Sequence, residues 1–462
     1  MPAAAPLPLP ADAPSLPLLS GHDSAAPVAW RHGRPIAAGE FLADVTRVAA
    51  SLPPGRHVLN TCADRYRFAV GFAAIAVSGR ISLLPSTLTP ETIAQLKTFA
   101  PDAVELTDGD TGRLDLPSLR YDDTPATPSP ELRIPELRAD AVVAIVFTSG
   151  STGMPVPHRK TWGALVECVR SEALLLGLAD GRRHAIVGTV PPQHMYGFET
   201  TVLQPLHNGL ALSAARPLYP ADIAAALAEL PRPRTLVTTP FHLRALLDAG
   251  IELPAVDLIV SATAPLSPTL AREAEDRTGA PLLEIFGSTE TGQIASRRSI
   301  EGAAWQLFPG VRLVQEGGRT FARGGHVAGT VPIDDVIELV GDDRFVLHGR
   351  SADMVNIAGK RSSLGYLNHQ LCAIAGVADG AFCTLGDDVD DGVARLGVAV
   401  VAPRLDRARL LAALRDRVDA AFLPRRVVFV ERLPRNATGK LPQAALRALF
   451  AAPAPPTDSM PQ

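Results

Sequence analysis

Two hydrophobic periodicities alternate over most of the first 300 residues of the chain. Apolar residues recur every three or four positions in some stretches, which predicts amphipathic helices at residues 40–50, 65–78, 90–99, 221–230 and 240–249. Short apolar, β-branched runs between them predict buried strands at residues 57–60, 81–85, 141–147, 185–190, 235–239, 257–260 and 282–286. Such alternation is typical of parallel sheets covered by helices, so we predict an α/β fold.

The pattern changes after about residue 310, where residues 311–355 are rich in predicted strands and turns. A last segment has helices and strands of its own. We therefore predict a large N-terminal domain of helix-covered sheets with a strand-rich subdomain, followed by a small, mobile α+β C-terminal domain. The predicted bounds are a flexible leader at 1–30, the N-terminal domain at 31–351, the C-terminal domain at 352–450 and a disordered tail at 451–462.

Composition describes a globular protein, because 47% of the 462 residues are hydrophobic and 20% are charged. A net charge of -4 gives no reason to expect a nucleic-acid partner. The first ten residues carry no basic residue and several prolines, which disfavours a signal peptide or a membrane span. Four cysteines without a C-x-x-C pair predict reduced thiols in a cytoplasmic protein.

A loop of small polar residues follows the predicted strand at 141–147. It comprises Thr148, Ser149, Gly150, Ser151, Thr152 and Gly153. Backbone N–H groups and hydroxyls without bulky neighbours suit phosphate oxygens, although an ordinary turn has a similar composition. No Gly-Lys-Ser/Thr follows, which disfavours a P-loop NTPase.

A second candidate segment follows the predicted strand at 282–286 and comprises Phe286, Gly287, Ser288, Thr289 and Glu290. The aromatic ring could stack on a base, the glycine permits close approach of a ligand, and the carboxylate could hold Mg²⁺ near phosphates. The alternative is a helix that begins here, with Ser288 or Thr289 as its N-cap.

Three isolated polar positions complete the candidate chemistry. Asp335 and Arg350 could bind a ribose diol, or could form an ordinary surface salt bridge. Lys440, in a Gly-containing loop, could stabilise charge that develops during group transfer, or could be a solvent-exposed lysine. His194 could line a substrate tunnel or be a structural residue, since no second histidine stands at metal-binding spacing.

The order of these motifs over residues 30–448 resembles the adenylate-forming superfamily, which includes acyl-CoA and aryl-CoA synthetases, nonribosomal adenylation domains and luciferases. The resemblance implies an AMP-forming ligase. A carboxylate attacks the α-phosphate of ATP to give an acyl-adenylate and pyrophosphate. The thiol of coenzyme A or of a separate acyl carrier protein then displaces AMP. ATP and Mg²⁺ are the implied cofactors.

The resemblance also implies roles for single residues. Residues 148–153 would bind the β- and γ-phosphates, and Phe286–Ser288 would border the nucleotide, with Phe286 stacked on the base. Thr289 would contact the α-phosphate, and Lys440 would bridge it to the attacking carboxylate. Glu290 would hold Mg²⁺. Other implied positions are Thr263, Ala264 and Pro265 along the adenine, Asp335 and Arg350 at the ribose, and His194, Tyr196, Gly197, Phe198 and Ile294 around the acid.

The chain departs from the family pattern in three places. One is the replacement of the glutamates that usually follow Gly-x-Arg by Tyr366 and Asn368. The lysine that usually follows the phosphate loop is replaced by Val156, so phosphate contacts would fall to His158, Arg159 or Lys160. The usual acidic hinge position is Ala352.

Residues 155–162 and 360–369 are similar to the stand-alone ligases of aryl polyene and xanthomonadin pigment clusters. That similarity implies a hydroxybenzoate-type acid, either 3-hydroxybenzoate or 4-hydroxybenzoate. A fatty or other acyl-CoA ligase, and a catalytically impaired nucleotide-binding homologue, stay open as alternatives.

Overall fold

The structure is a computed structural model that describes residues 13–85, 87–124, 126–129, 131–149, 155–350, 354–357, 360–385, 395–435 and 441–451. Its first part ends with a long helix. In chain order the elements are β1 (Ser15–Pro17), β2 (Pro27–Arg31), β3 (Arg34–Ala37), α1 (Ala38–Ser51), β4 (His57–Asn60), α2 (Arg65–Val77), β5 (Ile81–Leu84), α3 (Pro90–Phe99), β6 (Val104–Thr107), β7 (Ser118–Arg120), β8 (Glu136–Arg138), β9 (Val142–Ser149), β10 (Pro155–Thr161) and α4 (Trp162–Leu175).

The middle part alternates strands with helices until a hairpin closes it. The elements are β11 (Ala185–Gly188), α5 (Met195–Phe198), a π-helical turn (Glu199–Leu203), α6 (Gln204–His207), β12 (Ala211–Ser213), α7 (Pro220–Ala228), β13 (Arg234–Thr238), α8 (Pro240–Asp248), β14 (Leu258–Ser261), α9 (Pro268–Thr278), β15 (Leu282–Ser288) and β16 (Gly292–Arg297).

Strands dominate the next part, as the sequence predicts, and the C-terminal part is mixed. The elements are β17 (Ala304–Leu307), β18 (Arg312–Glu316), β19 (Arg319–Gly324), β20 (Val327–Ile333), β21 (Asp335–Leu339), β22 (Arg344–Arg350), β23 (Met354–Ile357), β24 (Lys360–Ser363), α10 (Leu364–Cys372), β25 (Asp379–Leu385), β26 (Arg395–Val401), α11 (Arg407–Arg415), a 3-10 turn (Ala420–Phe422), β27 (Arg426–Phe429) and α12 (Gln443–Ala451).

Two large sheets organise the N-terminal part. One has six strands in the order β10-β9-β5-β4-β6-β7, parallel except for the antiparallel pair β9–β10. The other has eleven strands in the order β21-β22-β17-β16-β15-β14-β13-β11-β12-β2-β3, and its central run from β15 to β2 is parallel. Helices pack on both, so the predicted helix-covered α/β architecture is confirmed.

Buried apolar side chains fill the space between the layers. Helix α2 is buried on nearly every face because almost all its side chains are apolar, and it packs with α1 and α4 in one core. Two further cores hold side chains of the eleven-stranded sheet and its helices. The three-stranded sheet β25-β26-β27 has its own core, consistent with a separate C-terminal domain.

Local capping explains where several helices begin. Asp64 accepts a hydrogen bond from the backbone N–H of Arg67 at the start of α2. The side chain of Thr89 accepts one from the N–H of Thr92 at the start of α3, so Thr89 is the N-cap of the predicted 90–99 helix.

Arg65, the first residue of α2, binds the ends of β11 and β12 in the eleven-stranded sheet. Its guanidinium is fully buried and donates to the carbonyl oxygens of Gly188, Val190 and Ala215 at 2.9, 2.8 and 2.6 Å. Burial lowers the pKa of this side chain to about 9.

The predicted leader does not extend to residue 30. Strand β1 pairs with β8, Leu18 and Leu19 are buried, and β2 lies in the eleven-stranded sheet. Prolines and alanines suggested a flexible segment, but the two leucines bury enough apolar surface to order the chain. Residues 1–12 and 452–462 lie outside the described residues.

Two smaller findings concern the thiols and the membrane. All four cysteines are free thiols, as the spacing predicts, and three of them are buried. Within the described ranges, none of the helices is long and apolar enough to cross a bilayer.

Candidate active site

Four parallel strands of the eleven-stranded sheet, β11, β13, β14 and β15, end at the same edge, and each is followed by a connecting segment. Ligands of open parallel sheets bind at this carboxyl edge. The segments are 189–194 after β11, 239–242 after β13, 262–265 after β14 and 289–291 after β15. Six of the sequence-predicted site residues lie in them, namely His194, Thr263, Ala264, Pro265, Thr289 and Glu290. Lys440 and the hinge position Ala352 lie outside the described residues.

Glu290 stands at the tip of a β-hairpin. Strand β15 continues to Ser288, turns, and returns as β16, so the alternative of a helix N-cap at Ser288 or Thr289 was wrong. The N–H of Thr291 donates to Ser288 Oγ at 3.2 Å and closes the turn. A Cβ on Gly287 would overlap the carbonyl oxygen of Gly292, so only glycine lets the two strands approach this closely.

The hairpin tip is connected through His158 to the first residue of the predicted phosphate loop. Thr148 Oγ1 and His158 Nε2 are 2.9 Å apart, and the same Nε2 is 3.4 Å from Glu290 Oε1. Ser149 ends β9 and pairs in register with Pro155, so the loop connects an antiparallel pair of strands. Residues 150–153 lie outside the described residues.

Phe286 belongs to an aromatic cluster. Its half-buried ring lies 5.7 Å from that of Trp305 and 5.5 Å from that of Phe345. Trp305 and Phe345 stack on each other with an angle of 10° between their planes. The two neighbours fix the Phe286 ring at the sheet edge, which suits a stacking role.

Thr263 adopts φ of 78°, in the left-handed region that non-glycine residues rarely occupy. It stands two residues after β14 and is partly exposed, as is Ala264, while Pro265 is exposed. Strained backbone of this kind clusters at binding sites, so it is consistent with the adenine contact that the family resemblance implies.

Asp335 and Arg350 are Cα partners across the antiparallel pair β21–β22. The structure therefore brings this predicted pair together at one end of a hairpin. Gly349 has φ of 122°, and a Cβ there would lie 2.5 Å from Ser363 Oγ, so the C-terminal part packs closely on this end.

The predicted acid-pocket residues separate into two groups. His194 occupies the N-cap position of α5, and the buried Tyr196 places its hydroxyl 3.0 Å from the carbonyl oxygen of Val260, at the strand ends. Phe198 is fully buried against Phe72 in the first core, with ring centroids 4.8 Å apart. Ile294 is also fully buried, in the second core, so the structure brings neither of these two to the accessible edge.

A Cβ on Gly197 would overlap the carbonyl oxygen of Pro191. This glycine therefore permits the tight turn that places His194, whose N–H donates to the same carbonyl at 3.2 Å.

Sequence reasoning missed a polar cluster after β13. Thr189 Oγ1 donates to Thr238 Oγ1 at 3.1 Å, and Thr239 Oγ1 lies 3.0 Å from His242 Nδ1. Burial lowers the pKa of His242. The sequence feature that could have indicated this cluster is Thr-Thr-Pro at the end of a strand. The same feature also predicts a helix N-cap, and Thr239 does cap α8.

The donors fit a magnesium ion that is held mainly by a nucleotide. The structure places together no group of three or more His, Cys, Asp or Glu able to bind a metal in the part of the chain it describes. Mg²⁺ is commonly bound through one or two carboxylates, with phosphate oxygens and water as its other ligands, and Glu290 can supply one carboxylate.

Comparison with known proteins decides the family. Residues 23–317 match the family described as AMP-binding enzyme. The chain belongs to the AMP-binding enzyme family. It is accordingly an AMP-forming acid–thiol ligase, as the motif order predicts.

Sequence relatives of this AMP-binding enzyme include two ligases of aromatic acids. The chain is 32% identical over 307 residues to the 4-coumarate–CoA ligase of Rhodobacter capsulatus, a match that covers 66% of this chain and 76% of the relative. It is 25% identical over 351 residues to the 3-hydroxybenzoate–CoA ligase of Aromatoleum sp. strain CIB, with 66% of each covered.

Among solved structures, ATP-bound MatB from Rhodopseudomonas palustris superposes with a TM-score of 0.78 at 20% identity. The match covers 93% of this chain and 96% of MatB, which confirms the fold of the AMP-binding enzyme over nearly its whole length.

Proposed function

We propose that this enzyme activates an aromatic carboxylic acid of the hydroxybenzoate type with ATP. A carboxylate oxygen attacks the α-phosphorus, the bond to the bridging oxygen of pyrophosphate breaks, and an acyl-adenylate forms. A thiolate sulfur then attacks the acyl carbon, and AMP leaves with the electron pair of the C–O bond. The thiol belongs to coenzyme A or to a separate acyl carrier protein.

The observation that carries the proposal is the contact of His158 with both Thr148 and Glu290, where the β9–β10 pair of the six-stranded sheet meets the β15–β16 hairpin of the eleven-stranded sheet. Thr148 begins the phosphate loop, and Glu290 has a side chain that is 40% exposed beside it. A triphosphate placed there would meet the loop and the carboxylate together. When bound, Mg²⁺ held by Glu290 would neutralise phosphate charge.

The remaining residues have proposed roles that follow from their positions around the nucleotide. Phe286 and the Thr263–Pro265 segment border the base, and Asp335 with Arg350 binds the ribose. Thr289 contacts the α-phosphate, and Lys440 stabilises negative charge shared by the acid and the α-phosphate during the first step.

Residues 352–450 form a mobile lid in this proposal. Rotation of the lid after the first step withdraws Lys440 and admits the thiol.

The acid class is supported by the relatives, whose names specify 4-coumarate, 3-hydroxybenzoate and 4-chlorobenzoate. His194 and Tyr196 border the acid at the strand ends. An apolar, aromatic pocket discriminates between related flat acids by about 10- to 200-fold per methylene-sized difference.

Exchange of labelled pyrophosphate into ATP tests the proposal. The panel contains 3-hydroxybenzoate, 4-hydroxybenzoate, 4-coumarate and a medium-chain fatty acid. We expect hydroxybenzoates to support the fastest exchange. Fastest exchange with the fatty acid would favour a fatty acyl ligase, and ATP binding without exchange on any acid would favour a catalytically impaired homologue.

A second assay identifies the acceptor. Mass spectrometry of complete reactions that contain coenzyme A or a purified carrier protein distinguishes the two thioesters. We expect the favoured acceptor to accumulate thioester at the rate of AMP release.

A further inference from the structure

The chain has Val156 where the family usually has a lysine after the phosphate loop. Strand β10 carries other basic side chains near this position, and they lie on its two faces. Successive side chains of a strand point to opposite faces, so His158 and Lys160 share a face while Arg159 lies on the other. His158 is partly buried and Lys160 is buried, whereas Arg159 is exposed. Only the face of His158 and Lys160 meets the Glu290 hairpin.

Lys160 contacts the backbone of the hairpin tip. Its ammonium Nζ donates to the carbonyl oxygen of Glu290 at 3.3 Å. Only 8% of the residue is exposed, and placing an ammonium group there is costly unless it is paired. Burial lowers the pKa of Lys160, while the negative charges of Glu199 and Glu290 oppose that shift.

A buried polar network surrounds Glu199, whose negative charge acts on Lys160. Cys168 Sγ donates to Glu199 Oε1 at 3.4 Å, and a Cβ on Gly292 would lie 3.0 Å from the same oxygen. Gln293 Nε2 donates to Thr200 Oγ1 at 2.8 Å. The network therefore runs from α4 through the π-helical turn to β16, the second strand of the hairpin.

The π-helical turn gives this network its position. A π-helical turn inserts one extra residue per turn and re-aims side chains, and such turns are frequent at functional sites. Here it carries Glu199 and Thr200 towards Gly292 and Gln293, directly after the Glu290 turn.

His158 contacts the carboxylate of Glu290. Its Nε2 lies between Thr148 Oγ1 and Glu290 Oε1, at 2.9 and 3.4 Å. The two residues of β10 thus contact the same glutamate twice, once at the carbonyl and once at the carboxylate.

We propose that Lys160 and His158 are positioning residues for Glu290, which they contact at its backbone carbonyl and at its carboxylate. These two residues of β10 supply part of the function of the lysine that the family usually has at the position of Val156. The inference rests on the proposed function, since it assumes that Glu290 meets Mg·ATP.

The test compares Lys160→Met with Arg159→Met, a matched loss of one positive charge on the opposite face of the same strand. Binding of ATP is measured by calorimetry with Mg²⁺ and with a chelator, and pyrophosphate exchange is measured against Mg²⁺ concentration. We expect Lys160→Met to weaken Mg²⁺-dependent ATP binding about tenfold, the loss of one charge-assisted hydrogen bond. Binding without Mg²⁺ and the Arg159→Met protein should match the parent enzyme.

A double-mutant cycle keeps the inference falsifiable if Lys160→Met folds poorly. His158→Ala leaves the buried network intact and should raise the KM for Mg·ATP more than it lowers kcat. Combined with Glu290→Gln, it should add little to the single glutamate change.

Additive effects of His158→Ala and Glu290→Gln, or a Lys160→Met protein equal to Arg159→Met, would overturn the inference. A parent enzyme that binds ATP but exchanges no pyrophosphate would count against the proposed function instead. Its Mg²⁺-dependent binding would still test Lys160.

Discussion

Asp335 and Arg350 are directly opposed across an antiparallel pair of strands, Asp335 as the first residue of β21 and Arg350 as the last of β22. Directly opposed residues on one face of a sheet are its closest cross-strand neighbours. The two positions are fifteen residues apart in the sequence and adjacent in space. This adjacency favours a joint role over two unrelated surface charges.

Asp335→Ala should raise the KM for ATP about tenfold or more, because a carboxylate that accepts hydrogen bonds from a ribose diol contributes about 1.5–3 kcal/mol. Steady-state kinetics with varied ATP measures the effect. The control is Glu338→Ala on the same strand, whose carboxylate forms an exposed pair with His348. If both variants have the same KM for ATP, Asp335 does not contact the ribose.

Glu290→Gln should weaken the use of Mg·ATP. The amide keeps the shape of the side chain but loses the charge that attracts a divalent ion. We expect the Mg²⁺ concentration for half-maximal pyrophosphate exchange to rise at least about tenfold. The exposed Glu301 offers a control for the loss of one carboxylate. Unchanged Mg²⁺ dependence in Glu290→Gln would exclude metal contact.

The fold was predictable because its elements are long and regular in their patterning. Helices α1, α2 and α3 fall within two residues of the predicted stretches, since apolar spacing and caps such as Thr89 act locally. The leader was mispredicted because the burial of Leu18 and Leu19 depends on distant elements.

Site residues that belong to ordered sequence motifs could be predicted. Those whose role depends on the direction in which a side chain points could be predicted less well. The sequence could not choose among His158, Arg159 and Lys160, since the choice depends on the pairing of β10 with β9. It also grouped Phe198 with the acid pocket, although aromatic packing against α2 buries that ring in the core. Pairing register and core packing are tertiary properties that local patterns do not contain.

Lys440→Ala should abolish adenylate formation yet spare thioester formation from supplied acyl-adenylate. The reason is that negative charge converges on the α-phosphate only in the first step, where removal of one stabilising group costs about 100-fold or more. The two half-reactions are measured separately, by pyrophosphate exchange and by thioester yield. Equal losses in both would contradict the assigned role. The matched control is Lys97→Ala, at a partly exposed lysine that is paired with Asp115.

Glu199 should make the free energy of unfolding depend on pH, and the variant Glu199→Gln should lack this contribution. Burial raises the pKa of this carboxyl to about 7, with Lys160 opposing the rise. A group whose pKa is higher in the folded than in the unfolded protein stabilises the fold when protonated. Its contribution is therefore present below the ordinary pKa of 4.5 and is lost as the pH rises through about 7.

The shift corresponds to about 3 kcal/mol between the two limits. Because His326 has a pKa lowered to about 4 by burial, it contributes a slope of opposite sign, so only the difference between variants isolates Glu199. Denaturant unfolding of the parent and of Glu199→Gln at pH 5, 6, 7 and 8 measures that difference. We expect the parent to lose stability relative to Glu199→Gln as the pH rises, and a constant difference across the series would refute the buried, protonated carboxyl.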